Sequence, residues 1–432
     1  MTLLEKGPKY NLHSKKDNWI QNLAREVETA LSKLPLSDRD VYRKLTADRI
    51  NTLIMNNHSQ TKHNTHPETK TIKSIKTKLK NNDAMIARAD KGNSLVILPI
   101  KQYDAKIQDF IQTNNFQTTK EDPTNNFQSQ TRKSINSNKR LIPHDAKWRY
   151  INTINMNPSA PTIKGLIKIH KPDHPIRPIV NWKNAPAYKL AGLLTPEIKR
   201  LVPPPFTYNI NNTTDLIREL KDIPTFTHYG LASLHIANLY TNIPVTETRD
   251  IISNILEQLQ LDPQTRGELL SWYDVITQQN YFTSNEEILI QKEVLAMGAP
   301  TSGLLSEFFL QHLEQLHIPH LSSKHGIIKY FRYVDDIMII YDTNHSDVQN
   351  ILKDFNTIHP KLEFIAECED NNQINFLDIT INRTHTDWRI ANYRKPTFTD
   401  NHSIYLQPPH PTQICHYKIP IQQIRHIQPT RR

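Results

Sequence analysis

Apolar positions along the chain change period several times, and each change marks an element. Between Asn18 and Leu34, Ile20, Leu23, Val27, Leu31 and Leu34 recur at three- and four-residue steps, which predicts an amphipathic helix. Ser37 and Asp38 offer an N-cap for a second, weaker helix carrying Val41, Leu45 and Ile50. His58 to Lys70 is polar and reads as a loop. Thr71 to Lys80 puts Ile72, Ile75 and Leu79 on one helical face and Lys73, Lys76 and Lys80 on another. Ser94 to Pro99, SLVILP, suits a short strand, and a helix begins at Asp104 to Phe110. From Thr113 to Asn138 the composition turns to Asn, Gln, Thr and Lys with little periodicity, which predicts a surface connection holding fragments of helix.

Alternation returns at Gly165 to Val180, GLIKIHKPDHPIRPIV. Leu166, Ile167 and Ile169 suit a strand, the proline-rich centre breaks it, and Ile176 to Val180 resumes it. Leu231 to Val245 begins as a strand and stops at Pro244, and Thr246 to Leu261 is a helix with Ile251, Ile252, Ile255, Leu256 and Leu259 on its apolar side. MGAPTSG, Met297 to Gly303, is a turn of small residues leading into a helix from Leu304 to Leu316. Gly326 to Tyr341, GIIKYFRYVDDIMIIY, is two apolar runs around a bare carboxylate pair, and Ser346 to Ile358 is again helical. Strands at Lys361 to Glu367, Gln373 to Asn382 and Trp388 to Arg394 form a meander, and beyond Pro396 no core pattern persists. No internal repeat is visible. Helices and antiparallel strands mix without a βαβ alternation, so the class is α+β.

Composition narrows this picture modestly. The chain has 432 residues, 37% hydrophobic, enough for two to four packed units, and nine glycines leave its turns to Pro, Asn and Asp. Lys and Arg (53) exceed Asp and Glu (43), which points to a polyanionic partner. Cys368 and Cys415 cannot build a disulfide framework or a zinc site of their own. No apolar run approaches the ~18 residues of a membrane span, and the first residues lack the apolar core of a secretory signal. An intracellular, reduced protein is the expectation.

Candidate chemistry centres on Asp335 and Asp336. Adjacent carboxylates repel, and a divalent cation is the usual way to keep both ionised. The alternative is a hairpin whose turn happens to be Asp-Asp. Lys168, His170, Lys171 and Arg177 gather on the arm at 165–180, as a triphosphate-binding tip needs or as a solvated basic hairpin also shows. The histidine pairs 63 and 66, 317 and 320, and 410 and 416 lack a completing Cys or carboxylate and read as structural or solvated. Trp19, Trp148, Trp182, Trp272 and Trp388 read as core or hinge residues.

The order ADKGN, KIHKP…RPIV, LYTNIP, MGAPTSGLLSEFF, YVDD, FLDITI and YRKPTFTD resembles the reverse transcriptase of Penelope-like retroelements over nearly the whole chain. That resemblance implies an RNA-directed DNA polymerase with a right-hand fold of fingers, palm and thumb, preceded by a small helical N-terminal extension. The boundaries it suggests are a basic extension at 1–85, fingers at 86–230, palm at 231–375, and primer grip with partial thumb at 376–432. It implies that Lys168 and Arg177 grip nucleotide phosphates, and that Tyr240 excludes a ribose 2′-hydroxyl. Gly298, Pro300 and Ser302 would face the nucleotide, and Lys361 is a weak candidate for protonating pyrophosphate. Lys73, Lys76 and Lys80 form a lysine face that would contact nucleic-acid phosphates, with Lys91, or else serve as a solvated surface. Its partners would be an RNA template, a DNA primer and deoxynucleoside triphosphates, and its setting the nucleus. Two Mg²⁺ ions would be held by carboxylates from motif A and the YVDD turn, with the Ile236 backbone carbonyl as a further ligand.

Motif A departs from that pattern. SLHIANLY places His235 where the metal-bridging aspartate of the family stands, and a register slip to bring in another side chain would turn it to the wrong face. Imidazole is a poor Mg²⁺ ligand and adds no negative charge, although Mn²⁺ accepts it more readily. A lost ligand worth ~3–5 kcal/mol slows the reaction about 10²–10⁴-fold. The expectation is a polymerase fold with an impaired site, with a catalytically dead nucleic-acid-binding remnant as the alternative. Relatives commonly carry a GIY-YIG endonuclease after the polymerase; the sequence reaches Arg432 without one, and its last stretch reads as a degraded thumb end.

Overall fold

The structure is a computed structural model that describes residues 27–28, 31, 35–58, 67–91, 94–138, 140–142, 153–202, 208–393 and 404–406. The chain forms two compact units, 1–102 with 399–432, and 103–398. The first expected helix, the YRKPTFTD motif beyond Tyr393, the thumb end, Trp19, Trp148, Cys415 and the histidines at 63, 66, 410 and 416 fall mostly or wholly outside the described residues.

The first unit holds α1 (Leu36–His58), α2 (Pro67–Asn81), β1 (Ala84–Arg88) and β2 (Leu95–Pro99). β1 and β2 pair antiparallel, and the segment Ile404–Leu406 adds to β2 in parallel. In α2 the predicted division of faces holds: Ile72, Ile75 and Leu79 are half-buried while Lys73, Lys76 and Lys80 are exposed. The helix starts at Pro67, inside the expected loop, because proline is well suited to a first helical turn. α1 is the second expected helix, and its Val41 and Leu45 are exposed.

The second unit begins within α3 (Ile100–Thr113) and continues through β3 (Gln117–Thr119), α4 (Thr124–Ser137), β4 (Thr162–Ile167), β5 (Ile176–Asn181), α5 (Tyr188–Leu201) and α6 (Thr213–Lys221). The connection expected at 113–138 is therefore corrected to a strand and a regular helix. Its periodicity is hidden because the buried face of α4 is partly polar. Gln128 donates to the Asn155 carbonyl, the Thr131 hydroxyl accepts from Gln279, and Ser134 meets Ser271. Most buried polar groups are satisfied in this way.

Next come β6 (Tyr229–Ile236), a single turn α7 (Leu239–Asn242), α8 (Val245–Gln258), α9 (Pro263–Thr277), β7 (Tyr281–Ser284), β8 (Glu287–Ile290) and α10 (Ser302–His325). β9 (Ile327–Tyr333), β10 (Asp336–Asp342), α11 (Val348–Phe355), β11 (Phe364–Cys368), β12 (Gln373–Phe376), β13 (Ile379–Arg383) and β14 (Trp388–Asn392) complete it. α10 outruns its expected end, passing through Pro319 to the left-handed Gly326 that caps it.

A four-stranded sheet in the order β11-β6-β10-β9 is the centre of the unit. Ile337, Met338, Ile339 and Ile340 are each 0% exposed, so β10 is covered on both faces. One face packs Leu231, Met338 and Ile340 against Leu216 and Leu220 of α6 and against Ile374, Phe376 and Ile381. The other face meets α10 and α11. The meander expected from 361 to 394 is divided: β11 joins the central sheet beside β6, and Gln373 to Asn382 is two strands broken at Leu377, whose φ is +55°. A second sheet, β3-β8-β7-β4-β5, carries the predicted arm as the β4–β5 hairpin. Among the described residues no helix is long and apolar enough to cross a membrane.

Candidate active site

The site lies where β6 and β10 end together. Their antiparallel register sets His235 directly opposite Asp336, and Ile236 N–H donates to the Asp335 carbonyl at 2.9 Å. Period-two alternation then decides which side chains meet. Ile236 is buried and lines the opposite face, whereas His235 lies on the Met338 face at a strand end where the packing stops. His235, Asp335 and Asp336 have ligand atoms within 4.8 Å of one another, the one such group among the described residues.

His235 Nδ1 is 2.9 Å from Asp336 Oδ1 and 3.9 Å from Asp335 Oδ2. A carboxylate can only accept, so Nδ1–H donates to Asp336. That hydrogen bond, with the charges of both aspartates, holds the imidazole pKa above its ordinary value. Burial and the neighbouring Asp336 charge push Asp335 up. The donor set therefore does not fit a pair of hard divalent ions. The cluster offers two carboxylates and one imidazole nitrogen, and that nitrogen is already engaged with Asp336, so it is poorer in hard anionic oxygen than two such ions prefer.

The residues singled out from sequence are placed as follows. Arg177 and Lys171 on the β4–β5 arm bear electrostatically on Asp335 and His235 respectively, so the arm faces the site. Lys168, at the end of β4, anchors the arm's turn through its N–H to the Pro175 carbonyl. Tyr240 follows on α7, partly exposed, its hydroxyl pKa raised by burial and by the charges of Asp335 and Glu307. Gly298 has φ +83°, and a Cβ there would lie 2.1 Å from the Val180 carbonyl oxygen, so the small-residue turn is seated against β5. Pro300 is half-buried behind it. Ser302 is buried and its hydroxyl donates to the Ala296 carbonyl at 2.5 Å, which braces the same turn. Lys361 is exposed at the turn before β11. Lys73, Lys76, Lys80 and Lys91 belong to the first unit.

Sequence reasoning missed the layer beneath. Arg332, 0% exposed, is gripped by Glu307 and Glu314 of α10. The signal was legible: two glutamates seven residues apart in an otherwise apolar stripe, and an arginine inside an apolar strand.

Residues 169–367 match the family model for reverse transcriptase (RNA-dependent DNA polymerase). No curated protein matches the chain. Among solved structures, telomerase from Candida albicans in complex with a fragment of telomeric RNA superposes with a TM-score of 0.51 at 11% identity, over 75% of this chain. The chain spans 56% of that telomerase chain. Apo telomerase from Candida tropicalis, truncated of its C-terminal domain, gives 0.43 at 11% identity, over 70% of this chain and 63% of its own. The fold is thus reverse-transcriptase-like, a right-hand polymerase architecture, with the His235–Asp336 contact inside the matched stretch.

Proposed function

We propose that this chain is the polymerase region of a Penelope-like retroelement that engages an RNA template and a DNA primer, with nucleotidyl transfer impaired by its own motif A. The observation that carries this reading is the register that sets His235 against Asp336. It supports the correspondence between His235 and the family's aspartate. The arm cations Lys168 and Arg177 would meet triphosphate, Tyr240 the sugar, and Gly298 with Pro300 the base pair. The lysines of α2 and Lys91 would meet backbone phosphates in the nucleus. Mg²⁺ would be the ion of the ancestral site; the residues now present suit it poorly, with Mn²⁺ the better tolerated substitute.

Primer extension on an RNA template tests this, with the chain as written beside His235→Asp, each in Mg²⁺ and in Mn²⁺. The expected result is extension by His235→Asp about 10²–10⁴-fold above the parent in Mg²⁺. Comparable extension by the unaltered chain in Mg²⁺ would overturn the impairment. Template–primer binding by both, falling steeply with salt, but extension by neither would favour the second reading, a binding remnant. The contact at 2.9 Å between His235 and Asp336 already favours that reading for the unaltered chain.

A further inference from the structure

The carboxylate pair stands on a turn that its backbone disfavours. Tyr333 pairs with Asp336, so the β9–β10 hairpin turns through Val334 and Asp335 alone, and Val334 has φ +56°. A two-residue turn with positive φ at its first position ordinarily takes glycine there, and a β-branched residue at such a φ is strained. Something must hold Val334 in place, and Arg332 does so. Its Nη1 donates to the Val334 carbonyl at 3.2 Å.

Arg332 is itself held at every donor. Nη1 and Nη2 donate to Glu307 Oε2 and Oε1 at 2.9 and 2.8 Å. Nε and Nη2 donate to Glu314 Oε1 and Oε2 at 2.6 and 3.0 Å. With the Val334 contact, all five N–H groups of the guanidinium are used. The glutamates are two helical turns apart on one face of α10. Each is steadied in turn: Tyr330 donates to Glu314 at 2.9 Å, and Gln311 and Asn209 donate to Glu307. The Arg332 backbone is fixed as well, its N–H donating to the Tyr208 carbonyl and its carbonyl accepting from Ile210. Burial by itself would lower the arginine pKa, but the hydrogen bonds and charges of the two glutamates raise it, so the group stays cationic.

We propose that Arg332, clamped by Glu307 and Glu314, is a positioning residue that fixes the Val334–Asp335 turn and so aims Asp335 and Asp336 at the end of β6. A buried charged triad gives no more stability than well-packed apolar side chains of similar volume. What an apolar trio cannot supply is a donor aimed at the Val334 carbonyl. The inference deepens the polymerase reading and rests on it only for the use those carboxylates serve.

The test compares the full chain with the triple substitution Arg332→Met, Glu307→Leu and Glu314→Leu. In histidine-labelled protein held where the ring is neutral, the ring ¹⁵N shifts of His235 report which nitrogen carries the proton. The Asp336 contact fixes it on Nδ1, whereas an unconstrained imidazole prefers Nε2. The expected result is a urea midpoint equal to or above the parent's, with His235 reverting from the Nδ1–H to the Nε2–H form. In the His235→Asp background the same triple should lower kcat at least tenfold with KM for template–primer within twofold. A stable triple variant that keeps Nδ1–H would overturn the proposal. Arg332→Lys keeps the charge and loses the fork; a folded variant that loses Nδ1–H supports the proposal, and one that keeps it overturns it. If both variants unfold, the triad is a requirement of folding and the positioning role falls. Should His235→Asp extend no primer, the polymerase reading fails separately, and the ¹⁵N result still decides the role of Arg332.

Discussion

The same strand ends carry two ion clusters on opposite faces of the central sheet, and they differ in what surrounds them. On one face His235, Asp335 and Asp336 form an open cluster, with the histidine side chain 49% exposed. On the other face Arg332 sits with Glu307 and Glu314, its side chain 1% exposed. The sealed cluster satisfies every arginine donor inside the protein and leaves nothing for a ligand to supply. The open cluster leaves carboxylate oxygens to solvent, where an external cation could compete with the imidazole. One is built to be permanent and the other to be entered, which is the difference expected between a support and a site.

Several changes would sharpen or break that contrast. Arg332→Met alone leaves the buried Glu314 and the partly buried Glu307 without their cation and is expected to cost ~3–5 kcal/mol, read as a large fall in urea midpoint. If the loss is no greater than for an exposed arginine, the sealed cluster is not sealed. Gly298→Ala forces a Cβ to within 2.1 Å of the Val180 carbonyl oxygen at a positive φ. It should cost more than ~2 kcal/mol, checked by thermal unfolding. Val334→Gly relieves the +56° φ but adds unfolded-state freedom, so the gain in stability should stay under ~1 kcal/mol. The Arg332 bond to the backbone carbonyl at 334 is kept in that variant, so the His235 Nδ1–H form should persist.

The smallest effect belongs to pH, because the open cluster is screened by solvent. His235 has a folded-state pKa raised above the ordinary 6.5, first by its hydrogen bond to Asp336. Its contribution to stability is therefore complete below about 6.5 and is lost as pH rises through the raised value. Urea midpoints across that window should fall for the parent and stay flatter for His235→Asn; parallel curves would mean that the contact is absent in solution. Asp335 is also raised, chiefly by burial, so its ionisation opposes folding as pH climbs above its ordinary 3.8.

The strands and helices nearest the site were legible because their periodicity is undiluted. β10 is a continuous apolar run, and α8 shows Ile251, Ile252 and Leu256 buried at helical spacing. His235 was singled out from motif order, and the register sets it opposite Asp336. α4 was not legible, since its buried face is built of Gln128, Thr131 and Ser134 as much as Phe127 and Ile135. α5, α6, α9 and the β7–β8 hairpin were passed over, although Asn212 and Asp262 cap α6 and α9 in the way those residue types predict. α1 was legible as a helix although its Val41 and Leu45 are exposed.

The sequence by itself determined the α+β class, the carboxylate pair and the basic arm. Those depend on residue identity and short-range spacing, which a chain carries without folding. Only the tertiary structure decided that β11 lies beside β6, that Ser302 turns inward, and that Arg332 meets Glu307 and Glu314 beneath the turn. Strand order and buried ion pairing join residues distant along the chain through hydrogen-bond geometry and desolvation, so local spacing can mark a charge as out of place but does not say which partner it meets.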